Sequence, residues 1–208
     1  MINSIYKKLD ITPMINAAGT YTMVGGSRMS EKTLEDMAEA ARSHVDIKQL
    51  QVVVNKKLAR LTNNEAASVC NGAASGLYIA AASCISLKAD QIFNELSFDE
   101  ISNYEIIMFT AHRNPYDWSI RQLGVKLREV GYSNTKNITA PEDLTAAINE
   151  KTAGIFFMFS NKGGWIAEGG LDLETTIKIA KNKNVPVIVD AAAQVPPVEN
   201  LWNFTKQG

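Results

Sequence analysis

The sequence predicts an α/β fold: a doubly wound, mostly parallel sheet with helices on both faces. Three observations predict it. Residues 105–110, 155–159 and 185–189 are continuous apolar runs without polar alternation, the pattern of strands covered on both faces. Between them lie segments whose apolar residues recur at helical spacing, so strands and helices alternate along the chain. A short apolar run at 67–70, small residues at 71–76 and an Ala-rich stretch at 77–87 read as strand, turn and helix.

Taken in order, Ser30 stands where it can cap a helix that carries Leu34, Met37, Ala38 and Ala41 on one side. A second helix is predicted at 49–61, with Val53, Val54, Leu58 and Leu61 on one side and Asn63-Asn64 closing it. After the strand, turn and helix of 67–87, the strand at 105–110 leads to a helix at 116–123. A short strand follows at 125–130, flanked by Gly124 and Gly131. Thr139-Ala140-Pro141-Glu142 has capping-box spacing, which places Thr139 at the N-cap and Glu142 at N3 of a helix over 141–149. The strand at 155–159, a helix at 173–182 and the strand at 185–189 complete the alternation. No internal repeat, low-complexity tract or Pro-, Gly- and Ser-rich linker interrupts it.

Composition narrows the function. With 208 residues, 46% hydrophobic and 21% charged, the chain is globular rather than a disordered tail, a collagenous fibre or a disulfide-stapled miniprotein. Lys+Arg 21 against Asp+Glu 22 gives a net charge of −1 with no basic block, so nucleic acid is not an expected partner. The longest nearly apolar run, 76–87, is broken by Ser83 and Ser86 and falls short of the ~18 residues of a membrane span, so no membrane association is expected. The N-terminus has no apolar stretch after Lys7-Lys8, so no secretory signal is expected. Cys70 and Cys84 form no C-x-x-C pair; they read as two core thiols, and the chain as cytoplasmic. Two histidines, His44 and His112, exclude a histidine-rich metal centre, and no metal is expected.

In open α/β sheets ligands gather outside the carboxyl ends of the strands, and three segments fall there. In Asn71-Gly72-Ala73-Ala74-Ser75-Gly76, small residues let a phosphate approach backbone N–H groups at a helix start; the same residues also suit a tight turn with close helix packing. The segment matches neither the P-loop nor the G-x-G-x-x-G fingerprint, which disfavours a nucleotide-binding Rossmann domain. The loop 110–118 gathers His112, Arg113, Tyr116, Asp117 and Trp118. His112 can stack on a ring or act as an acid or base near neutral pH, and Arg113 can pair with a phosphate or carboxylate; a satisfied histidine beside a surface arginine is the plain alternative. Asp190 ends a buried apolar strand, where a charge needs a partner. A protonated pyridine nitrogen is one such partner; a metal in a nucleotide site or the cap of the next turn are others.

In this order the segments resemble the pyridoxal-phosphate enzymes of the aspartate-aminotransferase fold type. The resemblance is to the branch that contains selenocysteine synthase (L-seryl-tRNA selenium transferase) and the D-glucosaminate-6-phosphate ammonia-lyase-like proteins. It covers nearly the whole chain. It is carried by Ile15-Asn16-Ala17-Ala18-Gly19-Thr20, Gly25-Gly26-Ser27, Leu61-Thr62-Asn63-Asn64-Glu65-Ala66-Ala67, His112-Arg113-Asn114-Pro115-Tyr116-Asp117, and Asp190-Ala191-Ala192-Ala193-Gln194 with Pro196-Pro197. It implies pyridoxal 5′-phosphate as cofactor, with its phosphate on the backbone of Gly72, Ala73 and Ala74. His112 then stacks on or flanks the pyridine ring, Asp190 pairs with its nitrogen, and Gln194 lies near the ring or its phenolic oxygen. Ser27, Arg28 and Arg113 are the implied substrate contacts, the first two from the arm of a neighbouring subunit, since enzymes of this type usually form sites at a dimer interface. Residues 1–45 are then an N-terminal arm with a first helix, and 46–208 the cofactor-binding large domain.

The chain departs from the family's pattern in its lysine. The Schiff-base lysine of this fold type lies beyond the ring-pairing aspartate, after another strand, whereas here only Lys206 follows Asp190, and Lys162 precedes it. The resemblance therefore implies an N-terminal portion of such an enzyme, with the catalytic lysine expected beyond Gly208, the isolated piece inactive or nearly so, and poorly soluble where surfaces are left uncovered. The expected activity is ammonia elimination from an amino acid or amino sugar acid, in a homodimer or larger homo-oligomer. Selenium transfer to seryl-tRNA is the alternative within the family, and a non-catalytic remnant or binding module on the same scaffold is the alternative outside it.

Overall fold

The computed structural model describes residues 5–133, 138–159 and 168–208. By its internal contacts the chain divides into two units, Met1–Ile47 and Lys48–Gly208. The first carries α1 (Ile5–Lys8), a 3-10 turn (Thr22–Val24) and α2 (Glu31–Ala40). Ser30 caps α2 as its sequence position predicts, its hydroxyl accepting the Thr33 N–H at 3.2 Å. None of the residues of α2 is buried, and the stripe of Leu34 and Met37 stands about half exposed.

The second unit holds the sheet. It begins with α3 (Ile47–Leu61), which ends at Asn63; this residue takes a left-handed φ of 52°, and the N–H of Asn64 closes back on the Ala59 carbonyl at 2.9 Å. Then come α4 (Gly72–Ala89), α5 (Phe98–Ser102), β1 (Glu105–Phe109), α6 (Trp118–Arg121), β2 (Lys126–Val130), α7 (Pro141–Ala147), β3 (Thr152–Met158), α8 (Leu173–Asn182), β4 (Val187–Asp190) and α9 (Asn200–Lys206). The four strands pair in the order β2-β1-β3-β4, all parallel.

Alternate residues of the strands face opposite layers, which is why the runs lack polar positions. Ile106, Met108, Phe156 and Ile188 pack with Leu77, Ala81 and Ile85 of α4 and Ile120 of α6. Ile107, Phe109, Ile155 and Phe157 pack on the other face with Leu144 of α7 and Ile177 and Ala180 of α8. Each fully buried Ile or Phe of these layers contributes about 1.5–3 kcal/mol. The edge strand β2 is mostly exposed and carries Lys126, Arg128 and Glu129, charges that discourage pairing with another chain.

Five expectations are corrected. Residues 67–70 form no strand: the run opens on an alanine and a serine, weak strand formers, and no ladder among the described residues includes it. The turn predicted at 71–76 is shorter, because α4 starts at Gly72. The helix predicted at 116–123 is a 3-10 turn (Pro115–Asp117) followed by the four residues of α6; Asn114 starts it, its Oδ1 accepting the Tyr116 N–H at 2.8 Å. Thr139 is not the cap of α7. Pro141 occupies the first turn and shifts the cap to Ala140, whose N–H donates to Asp143 Oδ2 at 2.9 Å, while the Thr139 hydroxyl turns inward to the Gly169 carbonyl. Of the two thiols expected in the core, Cys84 is buried there, whereas Cys70 is only half buried. Among the described residues no helix is long and apolar enough to cross a membrane.

Candidate active site

The carboxyl ends of β1, β3 and β4 bring three predicted residues together. His112 ends the 3-10 turn Thr110–His112 that follows β1, and it is 3% exposed. Its Nδ1 accepts the Met158 N–H at the end of β3, at 3.3 Å. Its ring lies edge-on to Phe109 and Phe157, with centroids 5.1 and 4.6 Å away. Burial pushes the imidazole down from 6.5 to about 4. Burial therefore favours the neutral imidazole at pH 7.

Asp190 ends β4 in register with Met158, and its backbone carbonyl accepts the Phe159 N–H at 3.0 Å. The carboxylate is 5% exposed and accepts the Ala192 N–H at 3.1 Å, an Asx-type turn. Among the described residues no basic side chain pairs with it. Gln194, also 5% exposed, donates from Nε2 to the Phe159 carbonyl at 3.4 Å, and its own carbonyl accepts Asn200 Nδ2 at 2.7 Å. Met158 and Phe159 thus link His112, Asp190 and Gln194 along one rim.

The start of α4 lies toward the same end of the sheet. Near its other end, Cys84 Sγ lies 3.3 Å from where a Cβ on Gly154 would sit, by the start of β3, so α4 runs back against the strands. From Cys84 to Gly72 is about 18 Å of helix, enough to span the strands. Asn71 gives no side-chain cap, and the Gly72 N–H is taken by the Cys70 carbonyl at 2.9 Å. The N–H groups of Ala73 and Ala74 then lack an acceptor within the helix. Gly72 has a φ of +83° with open space where a Cβ would be, and Ala73 and Ala74 are exposed. Small residues, free donors and the positive end of an 18-residue helix fit a phosphate, and a buried carboxylate without a cation among the described residues fits a protonated ring nitrogen.

The other predicted residues lie elsewhere. Arg113 is engaged by its own chain: Nε donates to Asp117 Oδ2 at 2.5 Å, and Nη1 pairs with Glu129. Asp117, 1% exposed, also accepts from Arg121 Nε at 2.8 Å. Burial pushes the Asp117 carboxyl up, but the hydrogen bonds from Arg113 and Arg121 outweigh it and hold the group below 3.8. Ser27 and Arg28 are exposed in the first unit. Lys206 ends α9, its Nζ 6.0 Å from the Trp202 ring centroid, and Lys162 lies outside the described residues. A groove of about 600 Å³ opens at the other end of the sheet, lined by Cys84, Lys88, Thr152, Lys181 and Pro186, and includes none of the predicted set. The charge relay Arg113–Asp117–Arg121 was readable from its i, i+4 spacing. The contact of Thr139 with the Gly169 carbonyl was not, because the two residues lie 30 positions apart.

Comparison with known proteins follows this geometry. An aspartate aminotransferase from Thermotoga maritima superposes with a TM-score of 0.52 at 19% identity, over 79% of this chain and 43% of that one, a likeness of fold alone. The architecture is that of the fold type I pyridoxal-phosphate enzymes. A structure of D-glucosaminate-6-phosphate ammonia-lyase matches far more closely, with a TM-score of 0.87 and 30% identity over 100% of this chain and 55% of that one. Residues 14–204 match the family of L-seryl-tRNA selenium transferase, and the chain belongs to that family. Among curated relatives, the D-glucosaminate-6-phosphate ammonia lyase of Salmonella typhimurium (strain 14028s / SGSC 2262) is 30% identical over 100% of this chain and 55% of its own length. A 5′-C-glycyluridine monooxygenase-decarboxylase of a Streptomyces species is 29% identical over 91% of this chain and 48% of its own. The chain spans about half the length of these relatives.

Proposed function

We propose that this chain forms the pyridoxal-phosphate-binding part of an enzyme that eliminates ammonia from an amino acid or amino sugar acid. The observation that carries the reading is Asp190: a carboxylate 5% exposed at the carboxyl end of β4, without a basic partner among the described residues, at the end of the sheet toward which the start of α4 is directed. Pyridoxal phosphate, when bound, supplies an electron sink for negative charge developing beside the substrate amine. Asp190 keeps a proton on the ring nitrogen, Ala73 and Ala74 donate backbone N–H groups to the phosphate with Gly72 giving it room, His112 flanks the ring as a neutral group, and Gln194 lies beside it. Ser27 and Arg28 are proposed to face substrate in a site completed by a second copy of the chain, and Arg113 to serve the same site through the loop it braces.

Elimination is favoured by the ammonia lyase similarity over the whole chain. The matched family's own description supports a second reading, selenium transfer to seryl-tRNA, but a net charge of −1 gives little attraction for a polyanion. Calorimetric titration with pyridoxal 5′-phosphate tests the reading. The parent protein binds, and Asp190→Asn loses at least about tenfold in affinity as a charge-assisted contact becomes a neutral one. Equal affinity of the two proteins overturns the assignment of Asp190.

A further inference from the structure

Three loops at the carboxyl ends of β1, β2 and β3 close a circuit around His112. Thr110, in the turn that ends in His112, donates its hydroxyl to the Gly131 carbonyl at 3.1 Å. Gly131, just after β2, has a φ of +78°, and a Cβ there would lie 1.8 Å from Thr139 Oγ1. Thr139 is 1% exposed and donates both its N–H, at 2.9 Å, and its hydroxyl to the Gly169 carbonyl. The next residue, Gly170, returns to the histidine: a Cβ on it would lie 2.9 Å from His112 Nε2 and 3.4 Å from Phe109 Cγ. Gly170 has no left-handed φ, so its backbone does not demand glycine. The space above the imidazole does.

We propose that Gly131, Thr139 and Gly170 are positioning residues that hold the His112 ring in one orientation and one neutral tautomer, with Nδ1 on the Met158 amide and Nε2 against Gly170. The tautomer follows from the hydrogen bond: a ring nitrogen that accepts a backbone N–H carries no proton, so the proton sits on Nε2. Phe109 and Phe157 hold the ring edge-on from the core side, and the Gly169-Gly170 turn, pinned twice by Thr139, closes it from the other. For function the inference rests on the proposed reading that His112 flanks the pyridine ring. A flat group in that place needs its plane fixed before the ligand arrives, because an ordering cost met during binding weakens affinity.

The test reads the ring itself. The chain has only two histidines, and His44 is exposed, so nitrogen–proton correlation spectra of the histidine rings at pH 7 give two patterns, of which the one lost in His112→Gln is assigned to His112. The parent shows a single neutral ring protonated at Nε2. In Gly170→Ala and Thr139→Val that pattern gives way to mixed tautomers, and Thr139→Ser, which keeps the hydroxyl, retains it. Pyridoxal 5′-phosphate affinity falls up to about tenfold in the first two variants and stays within about twofold in the third. An unchanged His112 pattern in folded Gly170→Ala and Thr139→Val overturns the inference. If Gly170→Ala does not fold, the valine and serine pair at Thr139 decides it. A ring that responds as expected in a parent that binds no pyridoxal phosphate upholds the positioning and refutes the cofactor reading.

Discussion

Lowering the pH from 6.5 to 4 probes the burial of His112. The ring titrates near 6.5 when the chain is unfolded and at about 4 when it is folded, so over this interval the unfolded state binds one more proton than the native state. Stability therefore rises with pH across the window and is lost as the pH falls through it. At ~1.36 kcal/mol per pH unit, the gap is worth about 3 kcal/mol, a large part of the roughly 5–15 kcal/mol that holds a domain folded. The ring is 3% exposed, so solvent screening takes little from that figure. Asp117 and Asp172 are held below 3.8 and Glu100 below 4.5, so what they contribute begins to fade at the acid end of the window, equally in both proteins compared below. Urea unfolding at half-unit steps from pH 7 to 4 measures the slope. His112→Gln has no group to protonate there, and His44 is common to both proteins, so the difference between the two curves isolates His112. Parallel curves would refute the claim that the imidazole is buried and neutral.

Other changes separate space, backbone and charge. Gly131→Ala meets both a φ of +78° and the Thr139 hydroxyl, and thermal unfolding should show a loss of about 3 kcal/mol or more. Ala73→Pro removes one N–H from the first turn of α4, where proline is tolerated; calorimetry should give weaker pyridoxal phosphate binding with circular dichroism unchanged. Thiol alkylation at pH 8 should label Cys70 and spare Cys84, whose thiol burial raises to about 11; peptide mapping reads the two sites, and equal labelling would contradict the packing of α4 on β3.

Strands β1, β3 and β4 were legible because their central residues are all apolar, and burial on two faces leaves that mark in a single sequence. Residues 67–70 carried the same mark and made no ladder, since a strand needs a neighbour and periodicity does not report one. The α7 cap shows a second limit. Thr139 and Glu142 have the spacing of a capping box, but Pro141 moves the helix start by one residue and releases the threonine to a carbonyl 30 positions away. Within the site, Asp190 and the α4 start were readable because each breaks a local rule: a charge ends an apolar strand, and small residues open a helix. Gly170 breaks none. Its meaning appears only when the loop after β1 is placed beneath it.

Asp117 and Asp190 set the distinction between holding a fold and serving a site. Both carboxylates are at most 5% exposed. Asp117 accepts from Arg113 and Arg121 at 2.5 and 2.8 Å and so ties the loop after β1 to α6; Asp190 has one backbone amide at 3.1 Å. Removing charge should act in opposite directions. Asp117→Asn leaves two guanidinium groups without their anion and should lower unfolding free energy by about 2 kcal/mol, a figure kept modest because the arginines are over a third exposed. Asp190→Asn relieves a buried carboxylate that has no cationic partner among the described residues, and in the absence of pyridoxal phosphate it should leave stability unchanged or raise it by up to about 1 kcal/mol. Urea unfolding of the two variants compares them directly. A comparable loss in both would mean that Asp190 already has its partner within the fold, and the carboxylate would then be no more available to a ligand than Asp117 is.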